Sequence, residues 1–337
     1  MVLIGAGNTS KLLKMYITKY GYQFQNEFEV CLDNASLKWD SRIDNVLIRP
    51  MEEIYKYPES QIVIASVYER EIQEQLLQLG VEENRIIALN SYKRRLFARY
   101  QKREYEKSQM TDMQLQDVNK EISEITVYTA IFGDYDRLLN PVIVNPNVKY
   151  VCFTDNENIT SDIWEVHYVK RQYESPIVES RMYKMLPHLF IESEYSMWVD
   201  ANICLLDDPL RYANCYLKNG DFLLIPHGER DCIYEEAAIC ITLHRASTKD
   251  LVYQMKEYIE KGCPEHVGLF LGGVLVRRHH TEQIKDFDEL WWKEFLTYSK
   301  RDQVSLGYLL WKKQLPISLC DIDIYNNSIV KVVNHLK

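Results

Sequence analysis

The chain opens on an apolar run, VLI, which passes through the small-residue turn GAGNTS into KLLKMYITKYG, where apolar residues recur at helical spacing up to Gly21. FEVCLDN follows as a second strand with Asp33 at its carboxyl end, and NVLI, QIVIAS and RIIAL are further short apolar runs. EREIQEQLLQLG reads as an amphipathic helix stopped by Gly80. Strands alternating with helices predict a small open parallel α/β sheet over residues 1–91. The pattern then changes. SYKRRLFARYQKREYEK sets Tyr92, Leu96, Phe97 and Tyr100 on one helical face among mostly basic residues, and the polar TDMQLQDVNKEIS follows, so residues 92–124 read as a charged helical linker. A second α/β pattern fills 125–337. Its strands are ITVYTAIFGDYD, KYVCFTD, YSMWVDANICLLDDP and LFLGGVLVRR, with helices around SRMYKMLPHLF and VSLGYLLW.

With 46% hydrophobic residues and only 12 Gly and 10 Pro in 337, collagen-like and disordered classes are excluded and the length allows one or two packed cores. The net charge of −9 argues against a nucleic-acid partner. Up to residue 124 there are 17 basic and 19 acidic residues; beyond it 23 and 30, so the second part suits a site that uses carboxylates or holds a cation. The 8 Cys fall singly, with no zinc or redox spacing, and read as reduced thiols. MVLIGAG lacks the basic start and long apolar stretch of a signal peptide, and GLFLGGVLV is too short to span a bilayer, which predicts a cytoplasmic chain. The linker has two readings. It is a solvated connecting helix with a packed aromatic stripe, or a basic amphipathic surface that meets anionic lipid and holds the chain peripherally at the inner membrane face.

Gly5-Ala6-Gly7-Asn8-Thr9-Ser10 carries the first two glycines of a dinucleotide fingerprint with Ser10 in place of the third, and Asp33 stands where a ribose-binding acid would. Gly5, Gly7 and Asp33 are therefore candidates for cofactor binding; the bland reading is a tight turn that needs small residues. The stretch resembles the Rossmann-like accessory domains of bacterial sugar-modifying and sugar-transferring enzymes.

The second domain holds the richer chemistry. Arg181 and Lys184 are three apart on a helix and so neighbours on its face. Asp200 and Asn202, two apart on one strand, would point the same way, and a carboxylate with an amide oxygen can hold a divalent cation. His227 and Arg230, with the Glu235-Glu236 pair, form a polar cluster for acceptor binding or acid/base work, or a surface salt-bridge group. Gly272 and Gly273 interrupt an apolar strand, which signals a bulge or a close approach. Asp302 and Gln303 precede an apolar helix, either as a rigid platform for polar groups or as a helix cap.

YTAIFGDYD, FTD, SRMYKMLPH, WVDANI, ERDCIYEEA, FLGGVLVRRH and RDQVSLGYLLWK, in this order over about residues 125–337, resemble a GT-A glycosyltransferase, above all the plant and bacterial hexosyltransferase family long catalogued as a domain of unknown function. The glycogenin-like enzymes are similar at greater distance. The resemblance implies a GT-A α/β domain that moves a hexose from a nucleotide-diphosphate sugar, a UDP-sugar favoured, to a glycan or lipid-linked glycan hydroxyl in bacterial surface glycan synthesis. It implies that Asp155 contacts the nucleoside and that Arg181 and Lys184 steady the diphosphate. Asp200 would ligate Mn2+ or Mg2+, with Asn202 as a neutral ligand where a second Asp is commoner and His335 as a third. Gly272 and Gly273 would lie beneath the donor sugar. Asp302 and Gln303 would sit beside the reacting carbon, and Glu235, Glu236 or Asp302 would deprotonate the acceptor if the reaction inverts. Two other readings stand beside it. One is a non-catalytic carbohydrate- or nucleotide-binding module. The other is an NAD-dependent sugar-modifying enzyme, whose Tyr-x-x-x-Lys pair Tyr16 and Lys19 miss by one residue.

Overall fold

In the computed structural model, which describes residues 1–109 and 121–336, the chain divides into units Met1–Tyr100 and Gln101–Lys337. The sequence placed the boundaries at 91 and 124. Residues 110–120 of the expected linker lie outside the described residues.

In the first unit the short apolar runs form β1 (Val2–Ile4), β2 (Val30–Asp33), β3 (Arg42–Ile43), β4 (Val46–Pro50), β5 (Ile62–Ile64) and β6 (Ile86–Ile87). They pair in the order β3-β4-β2-β1-β5-β6, parallel except for the β3–β4 hairpin. Helices α1 (Asn8–Lys19), α2 (Phe24–Glu27) and α3 (Glu69–Gln78) complete it. Strand alternation sends Leu3, Cys31 and Val63 to the α1 side with Leu13 and Ile17, and Ile4, Leu32 and Ile62 to the α3 side with Leu76. Gly21 and Gly80 follow α1 and α3 at φ 74° and 82°, a left-handed stop that glycine adopts without a Cβ clash. Helix α4 (Leu89–Gln109) begins before the expected linker, and Tyr92 and Leu96 are buried in the first unit's core.

In the second unit the sheet runs β14-β12-β13-β10-β7-β8-β9. Its strands are β7 (Ile125–Ile131), β8 (Val148–Thr154), β9 (Glu165–Tyr168), β10 (Ser196–Val199), β12 (Phe222–Pro226), β13 (Phe270–Arg277) and β14 (Ser318–Leu319); β11 (Ile203–Leu205) and β15 (Val330–Val332) form a separate antiparallel pair. β7 to β10 are mutually parallel, and β13 lies antiparallel between β10 and β12. Around the sheet stand α5 (Pro176–Met185), α6 (Pro209–Tyr216), α7 (Ile233–Thr242), α8 (Thr248–Glu260), α9 (Glu282–Thr297) and α10 (Asp302–Lys313). One face buries Tyr128, Phe153, Trp198 and Leu275 with residues of α5, α9 and α10; the other buries Val127, Cys152, Met197 and Val276 with α6 and β11. Both faces of the sheet are thus covered, as an α/β sheet flanked on two sides requires. The described residues contain no helix long and apolar enough to cross a membrane.

Two differences from the sequence reading have local causes. Helix α5 starts at Pro176, earlier than SRMYKMLPHLF suggested, because Ser175 accepts the Val178 N–H and Pro176 takes the first helical position. WVDANICLL is not one strand. It breaks after Val199 in a turn closed by the Ile203 N–H on the Asp200 carbonyl, and β11 leaves for a different sheet.

Candidate active site

The break after Val199 decides the geometry of the site. Asp200 and Asn202 are turn residues, so strand alternation does not set their directions as the sequence reading assumed. Asp200 is fixed by its backbone N–H on the Gly273 carbonyl at 2.8 Å and by the Trp198 indole, whose Nε1 donates to Oδ1 at 2.7 Å. Asn202 donates its amide to the Val333 carbonyl at 3.2 Å, and its backbone carbonyl accepts the Val333 N–H, which anchors β15 beside β11.

Helix α5 brings Arg181 and Lys184 to this turn, and α10 brings Asp302. Lys184 Nζ lies 2.6 Å from Asp302 Oδ2 and 3.8 Å from Asp200 Oδ1, and Arg181 Nε lies 3.1 Å from Asp302 Oδ2. A cavity of about 230 Å³ opens over them, lined also by Asn202, Gly272, Gly273, Arg301, Gln303 and Tyr325. Three cations and two carboxylates line it, an excess of one positive charge. Burial alone would raise the Asp302 carboxyl; Lys184, Arg181 and Arg301 instead hold it well below the usual carboxylate range. Asp302 is therefore a fixed anion and a weak base, which corrects its expected role in deprotonating an acceptor. It is not the N-cap residue, which is Arg301; it stands in the first turn of α10, where its Oδ1 accepts the Gln303 N–H at 3.1 Å.

Lys184 is wholly buried, so its expected direct hold on a diphosphate gives way to a hold on the carboxylates from below. Arg181 and Arg301, about a quarter exposed, are the cations that face the cavity. Gly272 makes room for this arrangement: a Cβ there would stand 2.6 Å from Lys184 Nζ and 3.2 Å from Asp302 Oδ2. The expected bulge is present as well, for Leu223 faces Val276 while Ile225 faces Leu271. We expect Gly272→Ala to displace the flexible ammonium rather than the backbone. Its melting temperature should stay within a few degrees of wild type by scanning calorimetry, and a loss as large as a backbone shift would cause would contradict this packing. Gly273 packs against Ile203, with a Cβ position 2.7 Å from Ile203 Cδ1.

The remaining candidates are placed as follows. Gln303 donates its amide to the Phe270 carbonyl at the cavity wall. Asp155 accepts the Gly133 N–H and pairs with Arg171 at 2.8 Å, outside the cavity lining. His335 pairs with Asp136 at 2.7 Å and also lies outside that lining. Glu235 is exposed, and Glu236 is buried in an ion pair with Arg230 at 2.8 Å; neither lines the cavity. Arg301 NH2 lies 3.9 Å from Glu236 and links this cluster to the site. Among the described residues no three His, Cys, Asp or Glu side chains converge to hold a metal ion.

His227 in that cluster is kept neutral, pushed down to about 4 by burial and then by Arg230. The inaccessible His279, against the Ile191 carbonyl at 3.1 Å, is pushed down to about 3 by burial. An unfolded histidine titrates near 6.5, so below that pH the unfolded chain binds protons that the native chain refuses. The contribution of these two imidazoles to stability is full above about pH 6.5 and falls as pH drops, by about 1.4 kcal/mol per pH unit for each. His279→Gln should remove about half of that slope between pH 6 and 5. Urea unfolding followed by tryptophan fluorescence reads it, because five of the six Trp lie in this unit.

In the first unit, Gly5, Gly7 and Asp33 line a cavity of about 570 Å³ with Lys38, Tyr68 and Glu71. Gly5 must be glycine, at φ 98° with a Cβ position 2.9 Å from the Ala65 carbonyl oxygen; around Gly7 nothing lies within 4 Å. Asp33 accepts the Ala6 N–H at 2.6 Å, the Ala35 N–H at 2.7 Å and Lys38 at 3.0 Å. Burial would raise its carboxyl, and these donors hold it below its ordinary value. The acid braces the glycine loop through three of its acceptor positions and still lines the cavity. Ser10, in the place of the third glycine, is buried with its hydroxyl on the Gly5 carbonyl.

Residues 97–335 match the family described as TOD1/MUCI70, glycosyltransferase-like domain. The chain belongs to that family. Residues 1–87 match a second family, C2185-like, N-terminal. Two relatives from Arabidopsis thaliana are similar. The probable hexosyltransferase MUCI70 is 24% identical over 56% of this chain and 37% of its own length, and the alkaline ceramidase TOD1 is 23% identical over 65% and 56%. The chain thus spans 37% and 56% of the lengths of these two relatives. Among solved structures, the apo WbbM bifunctional glycosyltransferase aligns over 61% of this chain and 40% of its own at 12% identity and a TM-score of 0.40.

Several site residues escaped the sequence reading. Arg301 was visible only as part of a basic turn, and the Trp198 indole only as a neighbour of Asp200 two positions on. Arg277, inaccessible, binds Asp288 at 2.8 Å and Tyr128 at 2.8 Å and donates to the Lys184 carbonyl; the one signal for it was a charge closing the apolar run GGVLV.

Proposed function

We propose that the second unit transfers a hexose from a nucleotide-diphosphate sugar, of which a UDP-sugar is favoured, to a hydroxyl of a glycan or lipid-linked glycan. The observation that carries the reading is the cavity at the carboxyl end of β10, where Arg181 and Arg301 face solvent over Asp200 and Asp302, within a glycosyltransferase-like family domain. Two guanidinium forks suit the oxygens of a diphosphate and offset the charge that grows on it as the sugar leaves. Asp302, ionised and fixed by Lys184 and the cavity's arginines, offers the complementary negative charge to an anomeric carbon that turns cationic. The leaving diphosphate itself is our candidate to take the acceptor proton.

A thermal-shift panel of UDP-, GDP- and dTDP-hexoses on the full chain tests the reading. One donor should raise the melting temperature by mass action, and Arg181→Ala should abolish the shift. A panel without any shift would reject the donor class.

A further inference from the structure

Resting on the donor reading above, we infer that the site compensates its carboxylates and the leaving diphosphate with the protein's own cations and requires no divalent metal. The ammonium of Lys184 lies between the two acids, 2.6 Å from Asp302 and 3.8 Å from Asp200. The donor set around it is already engaged. Asp302 Oδ2 accepts from Lys184 and faces Arg181, and Oδ1 accepts the Gln303 N–H at 3.1 Å. Asp200 Oδ1 accepts from Trp198. The Asn202 amide is tied to Val333, and His335 to Asp136. Among the described residues of the lining this leaves Asp200 Oδ2 and the side-chain oxygens of Asn202 and Gln303, a single charged oxygen, so a divalent ion there would take most of its shell from water and phosphate.

Charge tells the same way. The lining carries one positive charge in excess before any ligand arrives, so a divalent ion would enter against it, while a diphosphate is drawn in. Gly272 supplies the independent observation: its missing Cβ is the space that the Lys184 ammonium fills. The strand is shaped around a protein cation. Arg181 and Arg301 then do at the cavity surface what a bound ion does elsewhere, with planar donors matched to phosphate oxygens.

The test titrates the full chain with UDP, GDP and dTDP by calorimetry, once in EDTA and once with millimolar manganese. Manganese alone is titrated separately and its free EPR signal followed. One diphosphate should bind with affinities equal within about threefold in the two conditions. Wild type should leave the manganese signal unchanged, whereas Lys184→Met, which leaves two acids without their ammonium, should take the ion up; Lys184→Gln serves if that variant does not fold. Tightening by manganese of about tenfold or more, uptake by wild type, or no uptake by either variant would overturn the inference. Binding only with manganese leaves the donor reading standing, while no diphosphate binding in either condition removes both.

Discussion

Asp302→Asn is expected to lower the turnover for transfer by roughly two to three orders of magnitude while the donor's KM changes by much less. The substitution keeps the shape and removes a charge that three cations hold in place. Donor binding is left to Arg181 and Arg301, so the loss falls on the step in which the anomeric carbon gains positive charge. The variant also leaves Lys184 buried beside a neutral amide, which lowers stability. A structural role and a chemical one separate in the double variant Lys184→Met, Asp302→Asn. Removing both charges should restore much of the melting temperature and none of the turnover. Turnover that recovers with stability would make Asp302 a structural anion.

The second large effect is expected beneath the site. Arg277 and Asp288 are inaccessible to solvent and 2.8 Å apart, and the same guanidinium holds the Tyr128 hydroxyl and the Lys184 carbonyl. Burial pushes the Asp288 carboxyl up to about 7 against the pull of Arg277, so the pair sits near the limit of what the core tolerates. Asp288→Leu leaves the guanidinium uncompensated and should cost about 3–5 kcal/mol in urea unfolding. Replacing both, Arg277→Met with Asp288→Leu, should recover most of that stability, because well-packed apolar side chains often match a buried ion pair. The double variant still lacks the anchor on the Lys184 carbonyl, so its turnover should remain below wild type. A single variant within about 1 kcal/mol of wild type would remove Arg277 from this supporting role.

Local signals were legible in the sequence where a residue's chemistry acts within its own turn. Gly21 and Gly80 end helices as their positive φ demands, and alternating apolar runs become sheets covered on both faces. Gly272 and Gly273 announced a bulge and a close approach; the approaching group proved to be Lys184, 88 positions away, which no spacing rule reveals. Asp200 and Asn202 read as one face of a strand because the apolar run WVDANICLL continues through them. The break is set by β15, which recruits Ile203 to Leu205 into another sheet. Asp302 carried a polar signal, yet its protonation state depends on α5 and on Arg301, so its demotion from base to fixed anion needed the assembled site. Glu236 looked free for catalysis and is closed in by Arg230 six residues earlier.

Release of nucleoside diphosphate is the most direct measure of the central claim. The full chain is incubated with UDP-glucose, UDP-galactose and a hydroxyl-bearing glycan, and the liberated diphosphate is quantified for wild type, Arg181→Ala and Asp302→Asn. Wild type should release the diphosphate in step with a new glycoside, and both variants should fall by about a hundredfold or more. Release unchanged in both variants, or no glycoside from any nucleotide hexose, would contradict a glycosyl-transfer site at this cavity.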